Sequence, residues 1–213
     1  TIKNIIKAFK EYEKYKTEKI DEYTRKHQIG NKGKEGVTYL VKKKNGKEYA
    51  MKTFKKHKSS SKLRKEAELQ KTAADVGISP NVIDIDTVSK YIVMEKMDKH
   101  LIDILRKNKG CLTINYQRQL ISIYKKLDEI GIFHGDINLL NYMLKDKKIY
   151  IIDFGMSKEI TNSLVKKLGT KTPNINIMTL GFILKLKELG CPPSSYKYLV
   201  KFIPEENQNQ FRL

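Results

Sequence analysis

The chain has 213 residues, 39% hydrophobic and 31% charged, with 12 Gly, 5 Pro and two cysteines. A chain of this length can fold alone, burying roughly 70% of its unfolded surface, and this composition excludes collagen-like fibres, low-complexity tails and disulfide-built miniproteins. Lys and Arg outnumber Asp and Glu by 43 to 24, a formal net charge of +19, which attracts polyanions in a salt-dependent way.

The lysines fall in short runs along the whole chain (Lys42 to Lys44, Lys55 and Lys56, Lys147 and Lys148, Lys166 and Lys167). The excess therefore reads either as a solvated basic surface or as a contact for nucleic acid or another polyanion. No stretch approaches the ~20 apolar residues that span a bilayer, and the first residues, with Lys3, Lys7, Lys10 and Glu11, lack the apolar core of a signal peptide. The expectation is a soluble intracellular protein, cytoplasmic or nuclear, with no membrane span. Cys111 and Cys191 lie far apart without metal-type spacing, so they are expected to be free thiols in a reducing compartment.

Ile2, Ile5, Ile6, Phe9 and Tyr12 recur at helical spacing among lysines and glutamates, which predicts an amphipathic helix over 1–22. It is expected to pack on its own domain rather than on a partner. From Tyr23 to about Phe54 the pattern shifts to short β-type runs, "EYTRKHQIG", "GVTYLVKKK" and "KEYAMKTF", with Asn45-Gly46 as the hairpin turn. "SSSKLRKEAELQKTAADVG" offers capping serines, a helical run of Leu63, Ala67, Leu69 and Ala73, and a stop at Gly77 before Pro80. "NVIDIDTV" and "KYIVMEKM" complete a five-stranded sheet with one helix inserted. Helices then take over: "LIDILRKN", "TINYQRQLISIYKKLDEIG" and "INIMTLGFILKLKEL", with the strand pair "YMLK" and "KIYIID" between the last two. The expected division is the helix 1–22, a β-rich lobe 23–95 and a mainly α lobe 96–213: an α+β chain joined near Lys96 to Lys99.

Gly30, Gly33 and Gly36 stand between the first two strands. Without a Cβ, backbone N–H groups there can approach a phosphate; a plain hairpin explains the glycines equally well. On the next strand Ala50 and Lys52 share a face, and a lysine beneath a glycine-rich hairpin can hold phosphate oxygens. Its anionic partner is Glu66 on the following helix, favoured over Glu68, which lies about 200° round. A surface pair between Lys62 and Glu66 is the alternative. Further on, Asp136 and Asn141 in "HGDINLLN" and Asp153 in "IYIIDFG" place hard oxygens at strand ends, the ligand chemistry of Mg²⁺. One carboxylate is left to accept a hydroxyl proton, so the set points to phosphoryl transfer.

These motifs together resemble the eukaryotic-type protein kinase superfamily over about residues 23–185. The resemblance implies a compact bilobal fold, ATP and Mg²⁺ as cofactors, and transfer to Ser or Thr of a protein by a monomeric enzyme. It implies that Lys52 is the ATP lysine, Glu66 its helix partner and Asp136 the catalytic base. Asn141 and Asp153 become metal ligands. Gly30, Gly33, Gly36, Val37, Ala50, Met94 as gatekeeper, and the backbone of Glu95 and Met97 line the nucleotide. "NIMTLGFIL" is similar to the stretch D-x-W-S-L-G, with Asn176 at the Asp. Departures accompany it. Gly135 replaces the Arg of H-R-D, so activation-loop phosphorylation is not expected to be needed; Asn138 replaces a Lys; "LGTKTP" leads to no A-P-E; and the last helices are few. A reduced C-lobe with "HGD" also resembles Bud32-type kinases, which assist tRNA modification, and compact viral kinases, which would place the chain in a host cell. Antibiotic and choline phosphotransferases share "HGD" as well, so a small-molecule phosphotransferase is the third reading.

Overall fold

The computed structural model describes residues 2–29 and 35–211, the side chains of 15–21 aside. Helix α1 spans Ile2–Glu22 and leads into β1 (Tyr23–Ile29), β2 (Gly36–Lys43) and β3 (Glu48–Phe54); α2 (Ser60–Asp75) precedes β4 (Val82–Asp86) and β5 (Tyr91–Glu95). Next come β6 (Lys99–His100), α3 (Leu101–Lys107), α4 (Ile114–Glu129), β7 (Ile132–Phe133), β8 (Tyr142–Lys145), β9 (Lys148–Ile151) and β10 (Lys158–Glu159). Helices α5 (Asn162–Leu168), α6 (Thr179–Glu188) and α7 (Glu205–Gln208) follow, with 3-10 turns between them and a π-helical turn, Asn174–Met178, just before α6.

The chain forms two compact units: Thr1–Arg64 with Val82–Lys96, and Lys65–Asn81 with Met97–Leu213. The first holds the antiparallel five-stranded sheet, in the order β1-β2-β3-β5-β4. Its central hairpin closes as the Asn-Gly pair predicts: Gly46 takes φ +85°, its N–H reaches Lys43 O at 2.8 Å, and Lys43 N–H reaches Lys47 O at 2.9 Å. The apolar stripe of α1 departs from expectation. Ile2, Ile5 and Phe9 are 76%, 70% and 63% exposed, so this face does not pack on its own unit. Only a short run of apolar residues falls on that stripe, and lysines surround it.

In the second unit α2, α3, α4 and α6 bury their apolar faces around β8 and β9, with Tyr124, Tyr142, Phe154 and Phe182 at the centre. Thr113 caps α4 by accepting from Tyr116 N–H, and Ser59 caps α2 by accepting from Lys62 N–H at 3.3 Å, which is how the sequence sets both helix starts. The two central tyrosines share a hydroxyl hydrogen bond of 2.6 Å, so their polar ends are satisfied inside the core. This core is the platform under the loop that runs from β7 to β8.

Candidate active site

In the β-rich unit, strand register decides which candidates share a face, because residues paired directly across an antiparallel ladder project to the same side. Ala50 pairs with Leu40 and Met94, and Lys52 with Thr38 and Ile92. Val41, Tyr49, Met51, Tyr91 and Val93 occupy the other side and form the unit's own apolar cluster with Tyr23. Ala50, Lys52 and Met94 thus stand together on the side away from that cluster. Val37 does not join them: it pairs with Thr53, and its carbonyl accepts the Thr53 hydroxyl at 2.9 Å. Thr38 takes the position beside Lys52 instead. The turn at Asn45-Gly46 fixes this register, and a one-residue offset moves a side chain to the opposite face.

Gly36 has a structural cause of its own. A Cβ there would lie 1.9 Å from Thr53 O, so the strand approach alone demands glycine. Gly30 and Gly33 lie outside the described residues. Lys52 holds its ammonium 5.0 Å from the centre of the Phe54 ring, and buried Lys58, paired with Glu35, sits over the same ring at 4.4 Å. Glu95 ends β5 half-buried.

Glu66 and Met97 belong to the larger unit. On α2, Glu66 is 3% exposed while Glu68 faces solvent. A carboxylate buried to that degree requires a cation or donors, so burial selects Glu66 of the two. Met97 is also buried.

Asp136, Asn141 and Asp153 all lie in the larger unit, and short hydrogen bonds gather them. Asn141 Nδ2 donates to Asp136 Oδ2 at 2.8 Å, which turns the amide oxygen away from that carboxylate. The Asn141 carbonyl accepts from Ile152 N–H at 2.9 Å, joining the turn Leu139–Asn141 to the residue just before Asp153. Asn138, where the resemblance expects Lys, caps this turn by accepting from Leu140 N–H at 3.0 Å. Asp153 itself is left-handed, φ 67° and ψ 76°, with its carboxylate accepting from Gly155 N–H. That conformation costs a non-glycine residue roughly 1–2 kcal/mol, and such strain persists where surrounding contacts over-determine it, often at functional sites.

His134 binds the two acidic segments together. It is fully buried, with Nε2 3.0 Å from Ile152 O and Nδ1 accepting from Asp136 N–H at 3.4 Å. Only the neutral ring with its proton on Nε2 makes both bonds. Burial supports that state, pulling the imidazole below its ordinary pKa of 6.5. The ring also meets Phe154 edge-on, centroids 5.1 Å apart. Gly135 follows at φ +75°, where a Cβ would stand 3.3 Å from Met156 O, so this loop is shaped for glycine rather than for the usual arginine.

A second buried polar group holds the loop from behind, and the sequence reading placed it two residues off. Asn174, 0% exposed, accepts from His134 N–H at 3.0 Å and donates to Ile132 O at 2.7 Å. Its amide also donates to Asp128 Oδ1 at 2.7 Å, and that carboxylate receives the N–H groups of Asn174 and Ile175, both at 3.0 Å. Burial raises the Asp128 pKa, and these donors partly offset the shift. Asn176, the expected counterpart, instead accepts from Thr170 and Thr172. The π-helical turn at Asn174–Met178 rotates the segment so that Asn174 faces inward. The only signal in the sequence was an asparagine directly after Pro173 and ahead of an apolar helical run.

The donor set fits a hard divalent ion. Among the described residues no three His, Cys, Asp or Glu side chains form a metal cluster, whereas the Asn141 amide oxygen and the Asp153 carboxylate are oxygen donors of the kind that suits Mg²⁺, which takes few protein oxygens and completes its shell with water and phosphate.

The protein kinase domain family matches residues 23–174. The KEOPS complex subunit Bud32 of Pyrococcus abyssi is 35% identical over 46% of this chain and 47% of that protein. A probable bifunctional tRNA threonylcarbamoyladenosine biosynthesis protein of Methanocorpusculum labreanum is 31% identical over 56% of this chain and 21% of its own length. Homeodomain-interacting protein kinase 1 of Caenorhabditis elegans is 29% identical over 53% of this chain and 16% of its own. The chain thus spans about half the length, or less, of these curated relatives.

Proposed function

The chain belongs to the protein kinase family, and on that premise we propose that it transfers the γ-phosphoryl group of ATP to a Ser or Thr hydroxyl of a protein. The observation that carries the proposal is the tethering of Asp136, Asn141 and Asp153 by the 2.8 Å amide contact, the Asn141–Ile152 backbone bond and neutral His134. Asp136 accepts the hydroxyl proton and aims the oxygen for in-line attack. Asn141 and Asp153 offer oxygens to Mg²⁺, which supplies neutralisation of phosphate charge when bound. Lys52 holds the α- and β-phosphates, with Glu66 as its anion. Ala50, Met94, Thr38 and the backbone of Glu95 and Met97 receive the base and sugar, and Gly30, Gly33 and Gly36 the phosphates. Labelled ATP with a generic protein acceptor tests this: wild type transfers label, and Asp136→Ala and Asp153→Ala, checked as folded by circular dichroism, do not. Transfer by either variant at the wild-type rate overturns the assignment.

A second reading is that the chain works as a Bud32-like ATPase assisting tRNA modification. The identity to relatives whose names carry Bud32 and tRNA biosynthesis, together with Gly135 in place of arginine, favours it. The basic surface permits a polyanion partner. ATP turnover measured with and without tRNA separates the two: stimulation by tRNA with no label on protein supports the second reading, and label on protein with no effect of tRNA supports the first.

A further inference from the structure

The two cysteines are the chain's only ones, and the fold puts them at one place in the larger unit. Gly110 follows α3 with φ +80°, and a Cβ on it would lie 3.2 Å from both Cα and Sγ of Cys191. Cys111 is the next residue. Hydrogen bonds on either side of it lock its segment to the turn after Cys191: Ser195 Oγ donates to Gly110 O at 2.7 Å and accepts from Leu112 N–H at 2.9 Å. Adjacent α-carbons are ~3.8 Å apart along the chain, so Cys111 stands one residue step from a backbone that already touches Cys191. The sequence could not show this. The contact depends on α3 and α6 ending side by side, which spacing along the chain does not encode.

We propose that Cys111 and Cys191 are a redox-reactive pair that closes to an intramolecular disulfide in the presence of a low-molecular-weight disulfide oxidant. The two thiols have complementary environments. Cys111 is exposed and is the sulfur an oxidant meets first. Cys191 is 7% exposed, and burial raises its pKa, with the neighbouring Cys111 thiol adding to the shift. Cys191 therefore stays protonated and reacts second, after Cys111.

With oxidised glutathione the chemistry closes in two exchanges. The Cys111 thiolate attacks one sulfur of the oxidant, and one glutathione leaves as its thiolate and takes up a proton. Cys191, having released its proton to solvent, then attacks Cys111 Sγ and expels the second glutathione. Two protein thiols are oxidised and one glutathione disulfide is reduced to two thiols. The bridge links the end of α3 to the end of α6. His100, the residue just before α3, has its Nδ1 3.1 Å from Leu140 O, so the bridge bears on the element that meets the turn carrying Asn141.

The test is oxidation of the full chain with oxidised glutathione, followed by denaturing mass measurement, thiol counting and thermal melting. The proposal predicts loss of about two mass units per chain, no remaining free thiols, no chain-to-chain dimer, and a melting temperature raised by roughly 10 °C for a closed loop of about 80 residues. Reduction should reverse all of these. Cys191→Ser should instead accumulate a stable glutathione adduct on Cys111, and Cys111→Ser should resist oxidation. A wild-type chain that keeps two free thiols, or that holds glutathione on Cys111 without resolving it, overturns the pair.

Discussion

Replacing Asn174 by alanine tests whether the catalytic loop is held from behind. The substitution removes the acceptor of His134 N–H and the donor to Ile132 O, leaving two backbone groups without their partner in a buried setting. Each such orphan costs about 1–3 kcal/mol. Asp128 keeps two backbone donors and is only partly buried, so its loss adds little. The sum is roughly 2–6 kcal/mol, a large part of the ~5–15 kcal/mol that keeps a domain folded. Urea unfolding with an unchanged slope reads the loss directly. Phosphoryl transfer by the remaining folded fraction should fall about 10²-fold, the scale of a 1 Å misplacement of Asp136. Asn176→Ala is the control; it loses only bonds to Thr170 and Thr172 and should cost at most ~1 kcal/mol. Asn174→Asp sets a second carboxylate against Asp128, and adding Asp128→Asn should recover much of that loss. The reasoning is refuted if Asn176→Ala costs as much as Asn174→Ala, or if the paired exchange recovers nothing.

Other consequences follow from single contacts. Burial lowers the His134 pKa below 6.5, so the unfolded chain binds the extra proton first. Stability should be full above that pH and fall as pH drops below it, a slope that urea midpoints would show and His134→Gln would flatten. Gly36→Ala should cost roughly 2–3 kcal/mol by denaturation, because the obstacle at 1.9 Å is the Thr53 carbonyl of the paired strand. Glu66→Gln should weaken nucleotide binding in a fluorescence titration while Glu68→Gln leaves it unchanged. Equal effects would remove Glu66 from the site.

What the sequence disclosed depended on how local the signal was. The Asn45-Gly46 turn, the serine cap before α2 and the helical runs of α2 and α4 were readable because each is decided within a few residues. The motifs also singled out Asp136, Asn141 and Asp153 as one candidate set, and the structure ties Asp136, Asn141 and the residue before Asp153 together by hydrogen bonds. Register was less visible: the shift that puts Thr38 rather than Val37 beside Lys52 is one residue wide, and only the paired strand reveals it. Asn174 was hidden by the π-helical turn, which changes the inward-facing position without changing composition. Helix α5 was not foreseen, since it is only seven residues long and its apolar Leu164, Val165 and Leu168 are too few to mark a periodic run and are only partly buried. The exposed stripe of α1 shows the converse limit, for a periodic pattern identifies a helix but not what covers its apolar face.

The most direct test of the phosphoryl-transfer account is single-turnover transfer from labelled ATP by Asp136→Asn, with nucleotide affinity measured on the same sample. The account predicts binding of ATP with Mg²⁺ close to wild type and transfer slowed at least about 10²-fold, since the base is lost and the nucleotide site is not. Transfer at the wild-type rate would contradict it, and so would a wild-type chain that binds no ATP in the presence of Mg²⁺.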